Sequence, residues 1–180
     1  MAKMYQQKAR KAYKCSKCGK EINPGEVYFK IEAPFRPTKY RCSCCRPERS
    51  ELTESDYLQW LYRLQDHLNE DYDLKEESGK DELRDELENM KGELESRLEN
   101  MPEQLQDSAS GETLQNRIDS LESAIDELDC LDFPEEPDED AYEKDEDGES
   151  EEYENAVSEY QDALESYASS IEEIIGNIEE

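Results

Sequence analysis

Cys15 and Cys18, then Cys42 and Cys45, form two C-x2-C pairs with 23 residues between them. A C-x2-C turn presents two thiolates to one ion, and two such turns supply the four soft ligands of a tetrahedral zinc site. Four cysteines close the coordination sphere and leave no position for water. The reading is therefore a structural Zn2+ held by Cys15, Cys18, Cys42 and Cys45, contributing folding energy without hydrolysis. Gly19 and Lys20 follow the first pair, where a tight knuckle needs a residue that tolerates positive φ. Cys42 with Cys45 repeats the loop of the first pair, whereas Cys42 with Cys44 needs a tighter turn. Cys44 is thus read as a spare thiol and alternate metal ligand. Cys130 stands alone and is read as a small buried residue at a helix end. Five of the six cysteines lie within residues 15–45, and MAKMYQQKARKAYK lacks the apolar core of an export signal, so metal is favoured over disulfides.

Little else in the chain has the form of catalytic machinery. His67 is the one histidine and lies beside Leu64 and Leu68, as a surface or seam-edge residue would. There is no G-x-x-x-x-G-K-[ST] phosphate loop and no G-x-G-x-x-G. The acidic run DEDAYEKDEDGE lacks the register of a calcium loop, and the many carboxylates show no convergent pairing. No enzyme is expected.

Charge is divided sharply along the chain. Residues 1–50 hold 13 Lys/Arg against 4 Glu, whereas residues 51–180 hold 8 against 46, within a net charge of −29. Lys3, Lys8, Arg10, Lys11, Lys14, Lys17, Lys20, Lys30, Arg36, Lys39 and Arg41 are candidate phosphate contacts. Tyr5, Tyr13, Tyr28, Phe29, Phe35 and Tyr40 are interleaved with them, and that mixture suits nucleic acid through ion pairing and stacking. A basic head and an acidic body point to two partners, nucleic acid or a nucleoprotein for one and protein for the other. No run of about 18 apolar residues occurs, so a cytoplasmic protein without a membrane partner is expected.

Several elements must position these residues. Residues 1–14 read as a flexible basic arm, and residues 15–50 as the zinc module, with a turn at Asn23-Pro24-Gly25 and a strand from Val27 to Ile31. Tyr57, Leu61, Leu64 and Leu68 recur at helical spacing after Thr53, a candidate N-cap. The periodicity predicts helices over about residues 54–70, 80–106 and 112–130, the second interrupted near Asn100 by Pro102. Residues 131–149 read as an acidic, Pro-containing linker, and residues 150–180 as an amphipathic helix with its seam from Tyr153 to Ile178. The fold expected is mainly α: a small N-terminal zinc-bound β-hairpin module, then an acidic antiparallel helical bundle or coiled-coil hairpins.

The run KCSKCGKEINPGEVYFKI followed by KYRCSCC resembles fingers that open with C-x2-C-G-K-x-I and a Pro-Gly turn, the zinc-ribbon and poly(ADP-ribose)-polymerase types. Cys45 stands where the latter commonly has histidine. A wider resemblance is to uncharacterised phage or virus-encoded proteins. They join such a finger to RSELTESDYL, an ENMPEQLQ stretch, a Pro-acidic linker and a final amphipathic helix. That resemblance implies the architecture and Cys42 with Cys45 as second ligand pair, and it brings no activity. The reading in sum is a non-enzymatic, phage-like zinc adaptor. Its rivals are an acidic DNA mimic that inhibits a host nucleic-acid-binding protein, or a self-associating structural protein, such as a homodimer.

Overall fold

The structure, a computed structural model, describes residues 3–33, 37–142 and 151–180. The chain divides into two units, one ending at Asp66 and one beginning at His67. The first contains strands β1 (Lys3–Lys8), β2 (Tyr13–Lys14), β3 (Glu21–Ile22), β4 (Val27–Glu32) and β5 (Lys39–Cys42). They form an antiparallel three-stranded sheet in the order β1-β4-β5 and a two-stranded ladder of β2 with β3.

The flexible arm expected over residues 1–14 is corrected by this topology. Lys3 to Lys8 pair residue by residue with Glu32 to Val27. All six side chains of β1 are exposed, so no hydrophobic alternation marks the strand; its backbone bonds to β4 hold it. Ala9 anchors its end, receiving the Gly25 N–H at 2.7 Å and donating to the Glu26 carbonyl at 2.8 Å. Gly25 adopts φ +93, which the Pro24-Gly25 turn requires. One core cluster of this unit is Ala9, Cys15, Ile22, Tyr28 and Cys42, with Tyr13, Tyr40 and Cys45 packed against it.

A 3-10 turn (Arg49–Leu52) leads to helix α1 (Asp56–Asp71), and the boundary between the units falls within that helix. Tyr57, Leu61, Leu64 and Leu68 are all buried, as their spacing predicts. The cap is Ser55, whose hydroxyl accepts the Leu58 N–H at 3.4 Å; Thr53 instead accepts from Ser55 at 3.2 Å.

The second unit holds α2 (Glu77–Glu99), α3 (Glu103–Gln106), α4 (Ala109–Asp129) and α5 (Glu151–Gly176). Pro102 separates α2 from α3, because it lacks the amide donor that a continuous helix needs. Helices α2 and α4 run in opposite directions: Arg84 pairs with Asp129 at 2.6 Å, and Lys91, two turns on, with Glu122 at 2.8 Å. Leu83, Leu87 and Leu94 of α2 and Ile118, Leu121, Ile125 and Leu128 of α4 are buried. Gly79 and Gly111 each sit three residues into a helix, where a Cβ would lie 2.0 Å from the Asp73 oxygen and 1.9 Å from the Gln106 oxygen.

Two expectations change here. The seam of α5 is buried only in its second half, at Tyr167, Ile171, Ile174 and Ile175, followed by Ile178. The Glu179 N–H meets the Ser120 hydroxyl at 2.9 Å, so α4 opposes this half and ends before the first. Tyr153, Ala156, Val157, Tyr160 and Leu164 stay half-exposed. Cys130 is exposed rather than buried. It lies two residues past the seam position Leu128, about 200° around the helix, where its N–H caps the last turn. Residues 131–138 have no regular structure, and residues 143–149 of the expected linker lie outside the described residues. Among the described residues no helix is long and apolar enough to cross a membrane.

Candidate metal centre

Two knuckles build the site. In the first, the Cys15 N–H donates to the Lys20 carbonyl at 2.8 Å and the Gly19 N–H to the Cys15 carbonyl at 3.0 Å. Gly19 takes φ +73 to close this turn, the conformation its type allows at little cost. In the second, the Cys45 N–H returns to the Cys42 carbonyl at 3.0 Å. Strand β5 carries Cys42 to the first knuckle, and the Ser16 N–H bonds the Tyr40 carbonyl at 2.8 Å.

The sulfur atoms of Cys15, Cys18, Cys42 and Cys45 all lie within 4.8 Å of one another. Cys18 and Cys42 Sγ are 3.7 Å apart. A tetrahedral centre with Zn–S bonds of about 2.3 Å has S···S edges of about 3.8 Å, so the thiols stand at a spacing that one zinc fits. Cys15 and Cys42 are buried, Cys45 half-buried and Cys18 exposed. Thus the four-cysteine cluster can bind a metal ion, and when bound it ties the two knuckles together.

Backbone dipoles are aimed at the sulfurs. Burial would push the Cys15 thiol up, yet N–H groups of Cys18, Cys42 and Lys17 pointing at its sulfur bring it down to about 6; the Cys42 N–H lies 3.4 Å away. At Cys42 burial again opposes ionisation, and the Cys45 thiol and the Cys44 N–H bring it down. Neighbouring Cys18 and Cys42 push Cys45 up to about 12, because crowded thiolates without a cation must share protons. Cys44 therefore serves the site with its backbone, while its thiol is exposed.

The basic residues divide into two groups. Lys17 pairs with Glu48, Lys30 with Glu32, and Lys39 and Arg41 with Glu51. Arg41 is only 8% exposed, and its guanidinium grips Glu51 through Nε at 3.2 Å and through a second nitrogen. It braces β5 one residue before Cys42 rather than facing outward. Lys3, Lys8, Arg10, Lys11, Lys14 and Lys20 form no ion pair among the described residues, and all are exposed. Arg36 and Phe35 lie outside the described residues. His67 Nδ1 meets Glu70 at 2.8 Å on the surface of α1.

Sequence reasoning missed Glu51, which falls just beyond the module boundary drawn at residue 50. Its one signal was its place among the charges of RSEL after the last cysteine. It also missed that Tyr13 stacks on Tyr28 at 5.1 Å and on Tyr40 at 4.5 Å, since β2 is too short to announce itself. No family model matches the chain, and no curated protein or solved structure matches it significantly.

Proposed function

We propose that the chain is a non-enzymatic zinc-binding adaptor of phage type whose basic head contacts nucleic acid and whose acidic helices contact protein. The observation that carries the first half is the set of six exposed cations on β1, β2 and their connections, which form no ion pair among the described residues. Zinc, by joining the knuckles, holds the β2–β3 ladder and the three-stranded sheet in one presentation. Phosphates bound to such a surface displace counterions, so affinity falls with salt in proportion to the contacts made.

The protein-binding half rests on the unburied half of α5. Tyr153, Ala156, Val157, Tyr160 and Leu164 are half-exposed within a helix dense in glutamate, the pattern of an apolar stripe with an acidic border. Such a stripe also suits a second copy of the chain or a basic partner protein, and a helical bundle is then completed on association.

Fluorescence anisotropy of a labelled oligonucleotide with the zinc-loaded full chain tests the first half. The expected result is binding that weakens steeply between 50 and 200 mM salt, by a slope of at most about −4 for six contacts to a single strand. Lys8→Glu, Arg10→Glu and Lys11→Glu together should abolish it. Salt-insensitive binding, or binding that survives the triple variant, overturns the proposal.

A further inference from the structure

One face of the three-stranded sheet is built differently from the other. Tyr5, Lys30 and Tyr40 are directly paired across β1, β4 and β5, so their side chains share a face. Lys3 lies two residues along on that face, opposite Glu32, which also pairs with Lys30, and Tyr28 lies below, buried and bonded to Gln7 through its hydroxyl at 2.8 Å. Tyr13 covers Tyr28 and stacks on Tyr40, with the Lys11 ammonium 5.5 Å from its ring centre. The opposite face carries Met4, Ile31 and Lys39 in one row and Gln6, Phe29 and Arg41 in the next, where Arg41 and Lys39 turn to Glu51.

Tyr5 is 44% exposed, and Tyr13 and Tyr40 are half-exposed. Phenol rings held on a rigid sheet, with the Lys11 ammonium over the Tyr13 ring, match what an unpaired base offers: a flat π face next to a phosphate. A duplex hides those faces in its own stack and would meet only the charges. The spacing of neighbouring strands, about 4.8 Å, gives the row Tyr5 to Tyr40 room for about two bases, as on sheets that stack bases on aromatic side chains.

We infer that the Tyr5–Lys30–Tyr40 face, continued by Tyr13, is a stacking platform for single-stranded nucleic acid. This rests on the nucleic-acid reading above and adds to it the strand form and the face used. Met4, 47% exposed on the other face of the same strand, is the internal control. Tyr5 is at the sheet edge and outside the core, so its replacement leaves the zinc module intact.

The test is anisotropy titration of the zinc-loaded full chain with labelled oligothymidylate of about a dozen nucleotides and with a duplex of equal length at matched salt. Zinc content of each variant is measured alongside. The single strand is expected to bind about tenfold tighter than the duplex. Tyr5→Ala should lower single-strand affinity about tenfold and leave duplex affinity unchanged, while Tyr5→Phe and Met4→Ala retain both. If Tyr5→Ala binds as the unaltered chain does, or the duplex is preferred with the same salt slope, the platform is wrong and the basic-surface reading stands. If the full chain binds neither nucleic acid, both fall together.

Discussion

Replacing Glu51 by glutamine removes one charge from a pair whose two side chains are each 9% exposed. The Arg41 guanidinium then stays buried with no anion, and one of its terminal nitrogens already lacks a hydrogen-bond partner. Removing one member of a buried pair costs about 3–5 kcal/mol, and the carbonyl that glutamine retains returns one charged hydrogen bond. The net expectation is a loss of about 2–3 kcal/mol from the first unit. Trp60 is the single tryptophan and lines, with Ile31, Lys39 and Glu51, a cleft of about 360 Å³, so its fluorescence in urea reports this unit. Arg41→Met combined with Glu51→Leu should recover most of the loss, since it removes both charges. The pH dependence has a fixed sign. Burial works against the Glu51 carboxylate, but Arg41 and the Glu48 N–H hold it below its ordinary value. Its stabilisation is therefore full above about pH 4.3 and is lost as pH falls through the lowered folded value, so the original and the Glu51→Gln chain converge there. A change under about 0.5 kcal/mol at pH 7, or a gap that widens in acid, refutes the account of this pair.

Three further outcomes follow from the geometry. Cys44→Ser should leave zinc content at one per chain, measured by native mass spectrometry, because residue 44 gives its N–H and not its sulfur to Cys42; Cys42→Ser should lose the metal. Gly79→Ala drives a methyl into the Asp73 carbonyl, whereas Gly92→Ala meets open space. In thermal unfolding by circular dichroism the first should lower stability by more than about 1 kcal/mol, and the second should raise it by about 0.5–1 kcal/mol. Leu87→Ala, at a fully buried site between α2 and α4, should cost about 2–5 kcal/mol, against under about 0.5 kcal/mol for exposed Leu105→Ala.

Much of this arrangement was legible because it rests on short-range pattern. The C-x2-C pairs, the three-four spacing of Leu61, Leu64 and Leu68, and the stop at Pro102 each reflect local geometry. β1 was not legible: Lys3 to Lys8 bury no side chain, and the backbone bonds that define the strand leave no trace in residue type. The division of the cations was equally hidden. Nothing in the composition separates Arg41 from Lys11, and only the fold shows that one is locked on Glu51 while the other lies over Tyr13. At α5 the periodicity was right about the stripe, but periodicity carries no information on how far the opposing helix extends. Cys130 failed for a related reason, since its rotation two residues past the seam decides its exposure.

The zinc centre is tested most directly by metal analysis of the purified full chain before and after a strong chelator, with the exchange of the backbone amides of residues 3–50 followed in parallel. One zinc per chain, and rapid exchange of those amides once it is stripped while α2 and α4 stay protected, is the predicted result. A chain purified without metal whose β1-β4-β5 amides are nonetheless slow to exchange would contradict it.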